Sequence, residues 1–117
     1  MNPLEIMLPW PPSVNSYWRT VNGRMLISKE GRDYRKNVAA QIVKQRAQKH
    51  FDGPLRLTVE AHRPDNRRRD LDNLLKATLD SLAHAGVYKD DSQIRDLRIY
   101  WAQNIGGLLW IYIEDME

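Results

Sequence analysis

The sequence predicts an α+β domain in which two helices pack on a small mixed or antiparallel sheet. Several short segments alternate apolar and polar residues, as half-buried strands do. Two longer segments repeat apolar residues at helical spacing, and they lie between the strands along the chain. A length of 117 residues with 42% hydrophobic content suits one core, so we expect residues 1–117 to form a single domain.

The strands are predicted from alternation and from the turns that bound them. "LEIML" near the start ends at prolines, which cannot serve a central ladder. Asn22 and Gly23 stand between two apolar runs and supply the positive φ angles of a tight turn, so we expect a β-hairpin there. Three later segments have the same strand pattern: "LRLTVEAHR", "DLRIYWA" and "LLWIYI".

The first predicted helix runs from Lys29 to about His50. Tyr34, Val38 and Ile42 recur at four-residue spacing and would form its buried face. The other faces are rich in Lys, Arg and Gln, so this helix is expected to be amphipathic.

The second predicted helix, from about Leu71 to Ala85, begins inside the stretch "RRRDLDNLLK" at 67–76. Gly86 is expected to end it. A helical wheel divides its residues into two faces. Four leucines lie on one face: Leu71, Leu75, Leu79 and Leu82. The opposite face holds polar groups: Asp72, Asn73, Lys76 and Asp80.

This stretch combines groups that bind cations with groups that bind phosphates. Asp70 and Asp72 at the start of a helix can converge on one hard cation such as Mg²⁺, which prefers oxygen ligands. Lys76, one turn later, can neutralise a phosphate oxygen or a leaving group. The neighbouring residues expected to contact DNA are Arg67, Arg68, Arg69 and Asn73.

A second acidic pair, Asp90 and Asp91, follows the helix. From Asp72 to the helix end the rise is about 20 Å, and six extended residues also reach about 20 Å. Spacing therefore permits Asp91 to return to Asp70 and Asp72 along an almost straight segment, but does not require it. We expect that return, with Asp90 pointing the other way if the segment is a strand.

The same charges also have ordinary structural explanations. Asp70 can cap the helix, and Asp72 suits a helix N-terminus through its interaction with the dipole. Lys76 has a carboxylate four residues away on either side, at Asp72 and Asp80, and such pairs commonly form ion pairs. The pattern alone leaves both interpretations open, and the neighbouring Asn73 favours a functional site.

Charge and composition narrow the class of protein. Residues 1–50 carry a net charge of +6 and residues 51–117 a net charge of −3. A basic half suits a polyanionic partner. The absence of cysteine excludes disulfides and thiolate metal sites. No run of apolar residues resembles a signal peptide or a membrane span, so we expect a cytoplasmic protein with no membrane partner.

Four segments together resemble the RusA family of Holliday junction resolvases: "LPWPPSVNSYWR", "SKEGRDYRKNV", "RRRDLDNLLKATLDSL" and "GVYKDDSQI". The resemblance implies a metal-dependent endonuclease with catalytic, metal-binding aspartates at Asp70, Asp72 and Asp91 and a functional Lys76. It also implies a homodimer that nicks two opposing strands of a four-way DNA junction. With the ligand chemistry above, the expected cofactor is Mg²⁺.

The N-terminal "PWPPSVNSYW" permits two interpretations. Asn15, Tyr17 and Arg19 are candidates for DNA contact at the junction centre, where an aromatic ring can stack on an unpaired base. Alternatively Trp10 and Trp18 bury against the sheet, which we favour for Trp10. Two other functions also fit the composition: a non-catalytic protein that binds branched DNA, and a nuclease acting on other branched DNA.

Overall fold

The computed structural model describes residues 3–117 and contains an α+β fold, as predicted. Its strands are β1 (Leu4–Pro9), β2 (Trp18–Val21), β3 (Arg24–Ile27), β4 (Leu55–His62), β5 (Ile94–Trp101) and β6 (Leu108–Asp115). Its α-helices are α1 (Val14–Tyr17), α2 (Lys29–Lys44) and α3 (Leu75–His84), and short 3₁₀ turns span Leu71–Leu74 and Asp91–Gln93.

Four strands form a mixed sheet in the order β1-β6-β4-β5. The pairs β1–β6 and β6–β4 are antiparallel, and β4–β5 is parallel. The parallel pair is joined through α3, because two parallel neighbours need a long crossover. β4 alternates as predicted, with buried Leu55, Leu57, Val59 and Ala61 facing the helices. The mixed sheet is therefore confirmed.

The β2–β3 hairpin forms a separate two-stranded sheet. Asn22 and Gly23 adopt φ angles of 51° and 75°, the left-handed values that a tight hairpin turn requires. Val21 pairs with Arg24 directly across this turn. The predicted hairpin is confirmed.

Helix α2 begins as the sequence suggests and ends earlier. The Ser28 hydroxyl caps it by accepting the Gly31 amide at 2.9 Å, and Tyr34, Val38 and Ile42 are buried. The predicted end at His50 is wrong. Arg46 adopts φ 56°, and backbone bonds from residues 46 and 47 to the carbonyls of residues 43 and 42 close the helix in a Schellman motif.

The second predicted helix has a different start from the one expected. Leu71–Leu74 form a 3₁₀ turn with about three residues per turn, so a wheel drawn with α-helical spacing has the wrong phase there. The buried face consists of Leu74, Ala77, Thr78, Ser81 and Leu82, and the other leucines of the predicted stripe are only partly buried. The predicted stop at Gly86 is confirmed by its φ of 86°.

A further short helix, α1, was not predicted. Ser13 caps this single turn by accepting the amide of Ser16 at 3.3 Å. The turn directs the Tyr17 side chain into the protein, where it is fully buried. The observed fold therefore has three α-helices rather than two. Among residues 3–117, no helix has the length and apolar character needed to cross a membrane.

Candidate active site and DNA-binding cleft

The N-terminal loop and the segment before α3 face one another across a cleft of about 620 Å³. Both segments belong to the motifs quoted from the sequence. The cleft is lined by Trp10, Pro11, Ser13, Asn15, Arg68, Arg69, Asp70, Asn73 and Leu74. The fold therefore brings together five residues that the sequence marked from separate parts of the chain: Asn15, Arg68, Arg69, Asp70 and Asn73.

One wall of the cleft is held in place by aromatic and cation–π contacts. The Trp10 ring stacks on Trp101, with centroids 6.2 Å apart and planes at 17°. The Arg69 guanidinium lies 5.8 Å from the centre of the Trp10 ring. Trp10 packs partly against the core and also lines the cleft. Its predicted burial therefore accounts for only one side of the ring.

The three consecutive arginines have different surroundings. Arg69 donates to the Asp65 carboxylate at 2.8 Å, and this bond is the largest cause of an Asp65 pKa well below its usual range. Arg67 also contacts Asp65, at 3.3 Å, but its side chain is 83% exposed. Arg68 has no hydrogen bond or ion pair within residues 3–117. Arg69 thus holds the loop through Asp65, whereas the guanidinium groups of Arg67 and Arg68 are exposed and can bind a polyanion.

The carboxylates of Asp70 and Asp72 make neither the capping bond nor the ion pair that the sequence left open. Asp70 occupies the position before the 3₁₀ turn, but its side chain makes no capping bond. Asp72 is exposed and forms no ion pair with Lys76 in the described part of the chain. Asp80 pairs with Arg35 instead of Lys76. Cap and ion-pair explanations therefore do not account for these two aspartates.

Asp80 belongs to a partly buried network and not to the open face of α3. The Arg35 guanidinium donates to its carboxylate at 2.6 Å, and the Tyr17 hydroxyl donates to the same oxygen. Arg35 also donates to the Tyr17 hydroxyl at 3.0 Å. Burial, followed by the bond to Asp80, raises the pKa of Tyr17. The expected DNA contact by Tyr17 is wrong for this structure, because the whole side chain is enclosed between the helices.

Lys76 lies over the ring of Trp18, for which burial against the sheet was one of two interpretations left open by the sequence. Its Nζ is 5.6 Å from the centre of the Trp18 ring. Trp18 is half-buried, and its ring meets Tyr17 edge to face with centroids 5.2 Å apart. The aromatic pair therefore links Lys76 to the Asp80 network. The neighbouring Arg19 is exposed on the hairpin, where it remains available for DNA.

The segment after Gly86 returns beside α3, as predicted, since the Tyr88 hydroxyl donates to the Leu79 carbonyl at 2.7 Å. The expected strand through Asp91 is wrong. Asp91 begins a 3₁₀ turn that Asp90 caps by accepting the Ser92 amide at 3.0 Å. Hydrogen bonding by Ser92, with a smaller contribution from the Lys76 charge, lowers the pKa of Asp90. The acidic turn is therefore in electrostatic reach of Lys76.

The donor chemistry fits Mg²⁺, although no complete set of ligands is assembled. The side chains of Asp70, Asp72 and Asp91 make no hydrogen bond or ion pair to the described residues, so their carboxylate oxygens are available. Across residues 3–117, no three His, Cys, Asp or Glu side chains are grouped closely enough to hold a metal ion, so the expected convergence of Asp91 on Asp70 and Asp72 is wrong for this structure. Mg²⁺ commonly uses one or two protein carboxylates and completes its shell with water and substrate phosphate.

Comparison with known proteins agrees with the motifs. The family model described as "Endodeoxyribonuclease RusA" matches residues 9–113. A crossover junction endodeoxyribonuclease of Enterobacteria phage HK97 is 46% identical, covering 100% of this chain and 98% of its own. The namesake proteins of Enterobacteria phage 82 and Escherichia coli strain K12 are 45% and 44% identical, each covering 99% of this chain and 98% of their own. The chain belongs to the RusA endodeoxyribonuclease family.

Proposed function

We propose that this chain is a Mg²⁺-dependent endodeoxyribonuclease that resolves four-way DNA junctions by paired, symmetric nicks. The observation that carries the proposal is the cleft, because a free carboxylate, a free guanidinium and two amides all line it, at Asp70, Arg68, Asn15 and Asn73. The names of the full-length relatives, crossover junction endodeoxyribonucleases, support the same substrate.

Each group near the cleft has a role in this proposal. Asp70 and Asp72 would hold the metal, and Asp91 would join them only if its turn moved closer than it lies in this structure. Water and the DNA phosphate would supply the remaining ligands. Mg²⁺ bound there supplies positive charge at the scissile phosphate and activates water. Lys76, held over the Trp18 ring, neutralises charge that develops on a phosphate oxygen or on the leaving group.

The exposed cationic side chains bind the arms of the junction in this proposal. Arg67 and Arg68 contact phosphates beside the metal, and each such contact releases counterions. Arg19, on the hairpin, extends this basic surface. These contacts carry no sequence information and serve to place the strand.

Paired nicks require two sites, so we propose a homodimer with one RusA-like domain per chain. A four-way junction has approximate two-fold symmetry, and a two-fold dimer presents identical sites to equivalent strands. One chain of 13.7 kDa is small for spanning both strands. The expected cytoplasmic location fits a substrate that is cellular DNA.

The test compares an end-labelled four-way junction with a linear duplex of the same sequence, each with and without Mg²⁺. The proposal expects nicks at symmetric positions in two opposing strands of the junction only, and only with Mg²⁺. Retarded junction without cleavage favours the non-catalytic binding protein. Equal cleavage of flapped or three-way substrates favours the nuclease that acts on other branched DNA.

A further inference from the structure

The cleft contains two side-chain amides that the rest of the protein leaves unused. Asn15 comes from the short helix α1 and Asn73 from the 3₁₀ turn that precedes α3. Both line the cleft, and neither side chain has a hydrogen-bond partner within residues 3–117. An asparagine amide offers both donors and an acceptor, so the pair can match the hydrogen-bonding edge of a nucleobase.

The same cleft has the apolar surface that a base also needs. Trp10, Pro11 and Leu74 contribute aromatic and aliphatic walls. Trp10 is fixed from two directions by Trp101 and Arg69, so this wall keeps its position before any ligand binds. A pocket of stacking surface with a few hydrogen-bonding groups is typical of sites that hold an unstacked base.

Two charged groups fix the direction in which a nucleotide would enter. Arg68, exposed and without a protein partner in the described residues, suits a phosphate. Asp70, on the same lining, belongs to the proposed metal site. A base inside the cleft would therefore have its own phosphate close to the reacting one. The volume of about 620 Å³ is within the usual range for small-molecule sites.

We infer that the cleft is a subsite for one unpaired nucleotide of the junction, whose base edge is read by Asn15 and Asn73 beside the cleaved phosphate. The inference rests on the proposed function and extends it, because it assigns sequence selectivity to this protein's own residues. The branch point is where a nucleotide is most easily unpaired, since the stacking of consecutive base pairs is interrupted there.

A first experiment needs no cleavage. The ¹⁵N-labelled protein is titrated, without Mg²⁺, with each of the four deoxynucleoside 5′-monophosphates and with inorganic phosphate. The side-chain amide resonances of Asn15 and Asn73 are expected to shift with at least one nucleotide and to stay in place with phosphate alone. The exposed Asn66, which does not line the cleft, serves as the internal control. Equal responses from all three amides would overturn the inference.

A second experiment measures selectivity. Junctions that differ only in the base next to the cleaved phosphate are compared by kcat/KM. The wild type is expected to discriminate among bases by about tenfold or more, as one good base contact provides. The double variant Asn15→Ala/Asn73→Ala should reduce the ratio of kcat/KM between the best and the worst base to near unity. Asn66→Ala should leave this ratio unchanged. A double variant that keeps the wild-type ratio, or a wild type that cuts all four junctions equally, refutes the subsite alone. Failure of the wild type to cut any junction refutes the proposed function, and the titration then decides the subsite by itself.

Discussion

Asp80 is expected to stabilise the fold rather than take part in cleavage. Its carboxylate accepts bonds from Arg35 and from Tyr17, and the side chains of the ion pair are only 24% and 25% exposed. Breaking a fully buried pair costs about 3–5 kcal/mol, whereas an exposed pair contributes about 0–1 kcal/mol. Partial exposure places Asp80→Ala between these limits, at about 2 kcal/mol lost from the free energy of unfolding.

The assay is urea unfolding at one fixed protein concentration, because the proposed dimer would make apparent stability depend on concentration. Asp33→Ala is the matched control, since Asp33 and Lys29 form an ion pair that is mostly exposed. It should change the free energy of unfolding by less than about 0.5 kcal/mol. Equal losses for the two variants would refute the reasoning. If Asp80→Asn unfolds like the wild type but cannot cut the junction, Asp80 takes part in cleavage rather than in stability.

Four further variants test the residues around the proposed metal site. Lys76→Ala should lower turnover about a hundredfold, with junction affinity nearly unchanged; a loss confined to affinity would make Lys76 only a phosphate anchor. Asp91→Asn should abolish cleavage, whereas Asp90→Asn should do much less, because Asn also caps a helical turn; equal cleavage defects at the two positions would contradict the assignment. Trp18→Leu should remove the ring-current shift of the Lys76 side-chain protons in NMR spectra. It should also lower turnover about threefold, as expected for a solvent-exposed cation–π contact. An unchanged Lys76 spectrum would exclude this contact.

The parts of the fold that follow from local rules could be predicted from the sequence. Asn22 and Gly23 give a hairpin because few other residues adopt its φ angles so readily. The apolar spacing from Tyr34 to Ile42 places α2 on the core. Alternation gives β4, since one of its faces meets the helices and the other does not.

The errors occur where backbone geometry departs from residue propensity. α2 ends at a Schellman motif whose left-handed residue is Arg46 rather than glycine, so no sequence signal marks it. A wheel drawn from the leucines placed Asp80 on the open face, but α3 also buries Ala77, Thr78 and Ser81, and Asp80 meets Arg35 of α2. A tyrosine in a polar loop suits either a base or a core, and only the turn of α1 settles that Tyr17 faces inward.

The sequence predicted which residue types form the candidate site but not how they are arranged in space. The stretch at 67–76 indicates metal and phosphate chemistry, because carboxylates and guanidinium groups are concentrated there. That Asn15 lies across the cleft from Asn73 depends on tertiary packing, and no spacing in the sequence indicates it. The pairing of Lys76 with Trp18 was missed for the same reason.

The central claim is that free carboxylates beside the arginines carry the metal for cleavage. The most direct measurement records junction binding and Mg²⁺-dependent nicking in parallel for the wild type, Asp72→Asn and the control Asp96→Asn. The Asp96 carboxylate, on β5, pairs with Arg56 of β4. Asp72→Asn should bind the junction as tightly as the wild type or more tightly and produce no nicks, because removing its charge weakens the metal site and eases phosphate approach. Asp96→Asn should bind and cut like the wild type. Nicking by Asp72→Asn at near the wild-type rate would contradict the claim.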